Sequence, residues 1–225
     1  PFNISCGSCY MCDRRLFAQC ETTQNRDQGT GASLFGYTKL YGHVPGGQAQ
    51  LLRVPQAHFG PIKVPDGPPD DRFLFLSDVL PTAWQAVAYA DVPGDGSLAV
   101  IGLGPIGQMA ARIARHQGVE HVYGVDLVPE RLAMAERHGI ETVDLRSTDD
   151  VADSLRALTG GRGPDGVIDA VGLEAHGAPV ASAMQRAAGL LPKAVSAPLA
   201  KRAGIDRLTA LRTAIAAVRR GGTLS

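Results

Sequence analysis

Beyond residue 20 the 225-residue sequence contains no cysteine, so no disulfide staples most of the chain. Aromatic residues make up only 5%, and the formal net charge is zero with no basic run. Bases have little to stack on and neither nucleic acid nor an anionic membrane finds an electrostatic footprint, which excludes a nucleic-acid or membrane-surface partner. No apolar run reaches spanning length, since even residues 73–90 are broken by Ser77, Asp78, Pro81 and Gln85. There is no initiator Met and no signal peptide, so the expected location is cytoplasmic. The start at Pro1-Phe2-Asn3 and the end at Gly221-Gly222-Thr223-Leu224-Ser225, which reads as the entrance to a strand, make both ends look cut. What is present is ordinary for a globular protein: 44% hydrophobic and 20% charged residues, enough to bury a core in one large domain or two modest ones.

The most informative stretch is residues 98–126. Residues 98–101 form a short apolar run suited to a strand buried on both faces, followed at once by Gly102-x-Gly104-x-x-Gly107. Ile106, Met109, Ala110, Ile113 and Ala114 then recur at helical spacing, Pro105 fits the first turn, and Gly118 ends the helix. Gly102 permits the tight turn, Gly104 lets a pyrophosphate approach the backbone, and Gly107 lets helix and strand pack closely. The helix start, with Pro105 and Ile106, directs free N–H groups and partial positive charge at phosphate. A second strand, 122–125, delivers Asp126 at the spacing from which a carboxylate binds ribose hydroxyls. A 2′-phosphate would meet like charge there, and no Arg or Lys follows directly in Leu127-Val128-Pro129, which favours NAD over NADP.

Helices over 129–138, 149–159 and 206–220 alternate with strands over 140–143, 166–172 and from 221 on, predicting βαβ units in a doubly wound parallel Rossmann sheet whose last strands are missing. Residues 173–204, rich in Ala, Pro and Gly, read as an inserted excursion with helical pieces. Upstream, residues 46–55 and 60–67 look like the last strands of a small β barrel, and a helical pattern from Arg72 is interrupted by Pro81 before resuming over 83–90. The expected organisation is a partial β lobe over 1–70, a helical linker over 71–96 and a dinucleotide domain over 97–225.

All four cysteines fall in Cys6-x-x-Cys9-x-x-Cys12 and, after seven residues, Cys20. Four thiolates can close a tetrahedral shell around Zn²⁺ with no open position for water, a structural site in a loop too polar to fold on its own core. Disulfide pairing is the alternative reading of the same residues, disfavoured by the lack of secretory features.

With early cysteines, a β lobe, a helical linker and a dinucleotide fingerprint in that order, the chain resembles the zinc-dependent medium-chain alcohol dehydrogenase family, whose β lobe is GroES-like. Cys6, Cys9, Cys12 and Cys20 match that family's structural-zinc lobe. The segment Phe75-Leu76-Ser77-Asp78-Val79-Leu80-Pro81-Thr82 looks like the one supplying the last catalytic-zinc ligand. Most members have cysteine there and the formaldehyde dehydrogenase-like branch has aspartate, so Asp78 points to that branch. The resemblance implies a catalytic Zn²⁺ bound through Cys, His and Asp, oxidation of a small alcohol or aldehyde hydrate with NAD, Thr82 beside the nicotinamide, and a homo-oligomeric parent, dimer or tetramer.

One departure matters: the family places a catalytic cysteine and a Gly-His-Glu segment before the structural-zinc cysteines, and no residue here precedes Pro1 to hold them. Gly42-His43 is followed by Val44 and comes after the cysteines, so it is no substitute, and His58, His116, His121, His138 and His176 read as surface or packed residues. Asp78 is then one ligand of a site that needs three, and the chain alone is expected to be inactive. The competing reading is a non-catalytic dinucleotide-binding or sensing protein with a structural zinc. A zinc-ribbon module for nucleic acid is disfavoured by the neutral charge.

Overall fold

A computed structural model describes residues 2–172 and 209–225, and the excursion expected over 173–204 lies outside them. The chain divides into two compact units, Pro1–Asp78 and Val79–Ser225. No helix among the described residues is long and apolar enough to cross a membrane.

In the first unit regular structure is sparse. It has one short helix, α1 (Tyr10–Asp13), four 3₁₀ segments ending with Asp70–Leu76, and the isolated bridges Asn3↔Leu34, Gln24↔Ala32 and Phe35↔Val44. Its buried cluster is Cys6, Cys12, Cys20 and Ala32, with Cys9 packed against it, so thiols stand where a core would be. The strands expected over 46–55 and 60–67 are not formed, and both stretches are irregular. A strand exists only with a ladder partner for its N–H and C=O groups, and no described segment pairs with either stretch. Leu51 and Ile62 are accordingly 90% and 79% exposed.

The second unit opens with α2 (Val79–Ala90), which includes Pro81 without interruption, contrary to the expected break. Pro81 sits in the first turn, where N–H groups have no intrahelical acceptor and a missing donor costs nothing. Then follow β1 (Ser97–Ile101), α3 (Pro105–His116), β2 (His121–Asp126), α4 (Pro129–Glu136), β3 (Glu141–Asp144), α5 (Val151–Leu158), β4 (Gly166–Asp169), α6 (Thr209–Ala217) and β5 (Thr223–Leu224). The five strands order as β3-β2-β1-β4-β5, all parallel, which is the doubly wound arrangement the alternation predicted.

Strand β1 is buried throughout, and its alternating side chains feed two cores. Leu98 and Val100 join Ala83, Val87 and Ala90 of α2 and Ala110 and Ala114 of α3 on one face. Ala99 and Ile101 join Val151 and Leu155 of α5 and Ala214 and Ala217 of α6 on the other. At the strand starts, Asp165 accepts from the Ser97 N–H (2.8 Å) and hydroxyl (2.9 Å) and from Arg219 Nε (2.6 Å), while its carbonyl accepts from the Thr223 N–H (3.0 Å). This cluster fastens β1, β4 and β5 at one end and leaves the opposite, carboxyl end for the glycine turn.

Candidate functional site

In the first unit, the two-residue gaps of Cys6-x-x-Cys9-x-x-Cys12 curl the chain through α1, and Cys20 returns after a 3₁₀ turn over Phe17–Gln19. The four Sγ atoms lie within 4.8 Å of one another, and Cys9 and Cys20 Sγ are 3.9 Å apart. Sulfurs held about 2.3 Å from one zinc at tetrahedral corners stand about 3.8 Å from each other. The donor set therefore fits zinc, and all four thiols are free.

Donors surround the sulfurs. Cys6 Sγ accepts from the Thr22 hydroxyl (3.1 Å) and the Ser8 N–H (3.5 Å), Cys20 Sγ from the Cys6 N–H (3.4 Å), and Cys9 Sγ from the Glu21 N–H (3.4 Å). The Thr22 hydroxyl, then the Ser8 N–H, holds the Cys6 thiol down to about 5 against its burial, and a hydrogen bond from the Cys12 backbone lowers Cys9. Burial pushes Cys12 up to about 11. N–H and O–H groups aimed at sulfur stabilise thiolate charge, which a Zn²⁺–thiolate shell carries and a disulfide does not. Phe59 covers Gly7, where a Cβ would lie 2.4 Å from its ring, and His58 Nε2 stands 3.1 Å from the Cys6 carbonyl oxygen.

In the second unit, the three glycines between β1 and α3 have three separate reasons. Gly102 has φ +91°, a conformation that a side chain strains. A Cβ on Gly107 would lie 1.8 Å from the Gly102 carbonyl oxygen, so helix and turn could not close. Gly104 has an extended φ of −67° and a Cβ there would meet nothing within 4 Å. Neither conformation nor packing calls for glycine at 104, and what its hydrogen leaves is a clear approach to the backbone.

Gly104 is the N-cap of α3 and Pro105 its first residue. The first N–H satisfied inside the helix is that of Gln108, to Gly104 O at 2.9 Å, so the N–H groups of Ile106 and Gly107 precede the intrahelical ladder and face the helix mouth.

Asp126 ends β2, beside the turn, and is 4% exposed. Its Oδ2 accepts from the Leu103 N–H (2.7 Å) and its Oδ1 from the N–H groups of Leu127 (2.7 Å) and Val128 (2.9 Å). Arg131 Nη1 lies 3.5 Å from Oδ2. The lack of a basic residue at 127–129 thus does not leave the carboxylate without a cation. Arg131 is the third residue of α4, and its place five residues after Asp126 is the one cue the sequence carries to the pair. Gln108 was also missed. It is a polar residue on the buried stripe of α3, where Gly107, Ala110, Ala111 and Ala114 are its neighbours.

Asp78 is exposed at the last position of the first unit, and Thr82 is exposed near the start of α2 in the second. Among the described residues the cysteine quartet is the one convergent group of three or more His, Cys, Asp or Glu donors, and Asp78 joins no such group. His43, in the left-handed region at φ 52°, lines a polar cavity of about 430 Å³ with Gln24, Asn25, Ser33, Lys39 and Gly42.

Comparison with known proteins extends this picture. Residues 105–191 match the family described as zinc-binding dehydrogenase. The chain is 37% identical over 196 residues to a zinc-type alcohol dehydrogenase-like protein of Schizosaccharomyces pombe, covering 84% of this chain and 46% of the relative. It is 36% identical over 181 residues to a glutathione-independent formaldehyde dehydrogenase of Pseudomonas aeruginosa, covering 79% of this chain and 44% of that one. Among solved structures it is similar to an alcohol dehydrogenase from Thermus sp. ATN1, with a TM-score of 0.73 and 29% identity over all of this chain and 52% of that one. The chain spans about half the length of the curated relatives it matches.

Proposed function

We propose that this chain is part of a zinc-binding dehydrogenase that passes a hydride from a small alcohol or aldehyde hydrate to NAD. The observation that carries this reading is Gly104. It stands at a helix mouth with open space where its side chain would be, next to a buried strand-end carboxylate, in a stretch adjoining the family match. In this proposal the backbone from Gly102 to Gly107, with Pro105 and Ile106 at the helix mouth, holds the pyrophosphate. Asp126 accepts from the ribose hydroxyls, which compete there with Arg131, and its charge disfavours a 2′-phosphate.

Cys6, Cys9, Cys12 and Cys20 hold a structural zinc, which when bound cross-links a loop that has little apolar core. Thr82 packs beside the nicotinamide, and Asp78 contributes one ligand to a catalytic zinc. Aspartate at 78 and the similarity to formaldehyde dehydrogenases favour that substrate branch. Four free thiols suit a reducing, cytoplasmic compartment.

A second reading, a dinucleotide-binding protein without catalysis, draws on the same glycine turn and Asp126, which would hold a cofactor whether or not chemistry follows. Two preparations separate the two. Residues 1–225 expressed with zinc should carry about one tightly bound metal per chain, quench or enhance NADH fluorescence on binding, and fail to oxidise ethanol or formaldehyde. The dehydrogenase reading then requires turnover by the longer protein that contains this chain, and an inactive longer protein that binds NADH favours the second reading. Absence of NADH binding overturns both.

A further inference from the structure

We propose that Gln108 is a positioning residue for the dinucleotide turn, aiming the Gly104 N–H outward by holding the Leu103 carbonyl inward. The proposal rests on the dinucleotide reading above.

Gln108 lies on α3 and is 8% exposed. Its Nε2 donates to Arg131 O (2.7 Å) and, more weakly, to Leu103 O (3.4 Å). Both neighbours are carbonyl oxygens, so the amide nitrogen must face them. Its Oε1 is buried without a partner, the one such side-chain atom among the described residues. A buried orphan acceptor is unfavourable, and an apolar side chain in the same space would avoid it. Stability alone therefore gives poor reason for glutamine at this position.

The geometry supplies another reason. Asp126 and Gln108 grip the same two residues: Asp126 takes the Leu103 N–H and the Arg131 guanidinium, and Gln108 takes the carbonyls of both. The four form a closed circuit under the glycine turn. In a trans peptide the C=O of one residue and the N–H of the next point in opposite directions. Drawing Leu103 O toward the buried Gln108 amide turns the Gly104 N–H away from the packed interior, on the residue whose side-chain space is open.

The test uses residues 1–225 and the near-isosteric Gln108→Met, which keeps the packing and cannot donate. Three quantities are read: thermal midpoint, amide hydrogen exchange of Leu103 and Gly104, and NADH dissociation constant by fluorescence. The expected result is an unchanged or raised midpoint, faster exchange in the turn, and an NADH constant raised about tenfold. A merely structural glutamine would lower the midpoint and leave NADH affinity per folded molecule unchanged. That result, unaltered exchange, or a variant that does not fold would each overturn the proposal. If wild type fails to bind NADH, the dinucleotide reading falls, while the exchange rates still decide whether Gln108 holds the turn.

Discussion

The backbone N–H of Leu103 donates to the carboxylate of Asp126 over 2.7 Å, joining residues 23 apart in sequence and tying the glycine turn to the end of the neighbouring strand. The carboxylate therefore holds the glycine turn in place. Asp126→Ala leaves the N–H groups of Leu103, Leu127 and Val128 without this acceptor and should cost about 1–3 kcal/mol in urea denaturation. The same variant should narrow the difference between NADH and NADPH dissociation constants, since Arg131 loses the carboxylate it now faces. An unchanged ratio of the two constants would remove Asp126 from cofactor selection.

Two glycines three residues apart should behave oppositely. Gly107→Ala forces a Cβ against the Gly102 carbonyl and should destabilise the second unit by several kcal/mol, at the upper end of single substitutions. Gly104→Ala meets no protein atom, so its thermal midpoint should stay near that of wild type while NADH affinity falls at least tenfold. If Gly104→Ala binds NADH as wild type does, the open space at 104 is not where the pyrophosphate lies.

Metal removal should act on the first unit. Treatment with a chelator, or Cys20→Ser, should speed proteolysis within residues 1–78 while amides of the β1–β5 sheet keep their exchange protection. Zinc competes with protons for the sulfurs, and burial holds the Cys12 thiol up to about 11, so apparent zinc affinity should rise with pH and fall on acidification. A chelator titration at three pH values reads the slope, and a pH-independent affinity would count against thiolate ligation.

Acid should probe the Asp165 cluster. Burial raises the Asp165 pKa, but Arg219 together with the Ser97 N–H and hydroxyl outweighs it, leaving the carboxyl below its ordinary value. A depressed native pKa means that the cluster stabilises the fold above the ordinary carboxylate range. That contribution is lost as pH falls through the native value. Arg219→Ala should cost about 1–2 kcal/mol at pH 7 and make the loss of stability on acidification shallower. Parallel curves for wild type and variant between pH 7 and pH 3 would contradict this.

The doubly wound sheet was legible because its cues are local: a buried run at β1, three glycines at fixed offsets, an acid at the end of β2, and helices alternating with strands. The cysteine quartet was legible for the same reason, since short gaps leave the sulfurs few places to go. The stretches 46–55 and 60–67 misled because their apolar residues between Gly and Pro look like strands, and a strand is a property of a pair. Pro81 misled because its cost depends on where the helix begins. Arg131 and Gln108 were invisible for a different reason: each acts through its position on a helix docked beside the turn, and the sequence carries the spacing but not the docking.

The central place of β1 also sets an order of assembly. Its bond to the β2 side, Leu103 to Asp126, closes 23 residues, whereas the tie from Ser97 to Asp165 on the β4 side closes 68. Loop-closure entropy grows with length, so the β1–α3–β2 half should be native-like in the folding transition state while β4 and β5 join later. High φ-values for Val100→Ala and Val122→Ala, against low values for Ile168→Val, would record that sequence. The β1–α3–β2 turn is then a nucleation unit of the fold, and substitutions that weaken it slow folding whatever they do to a ligand.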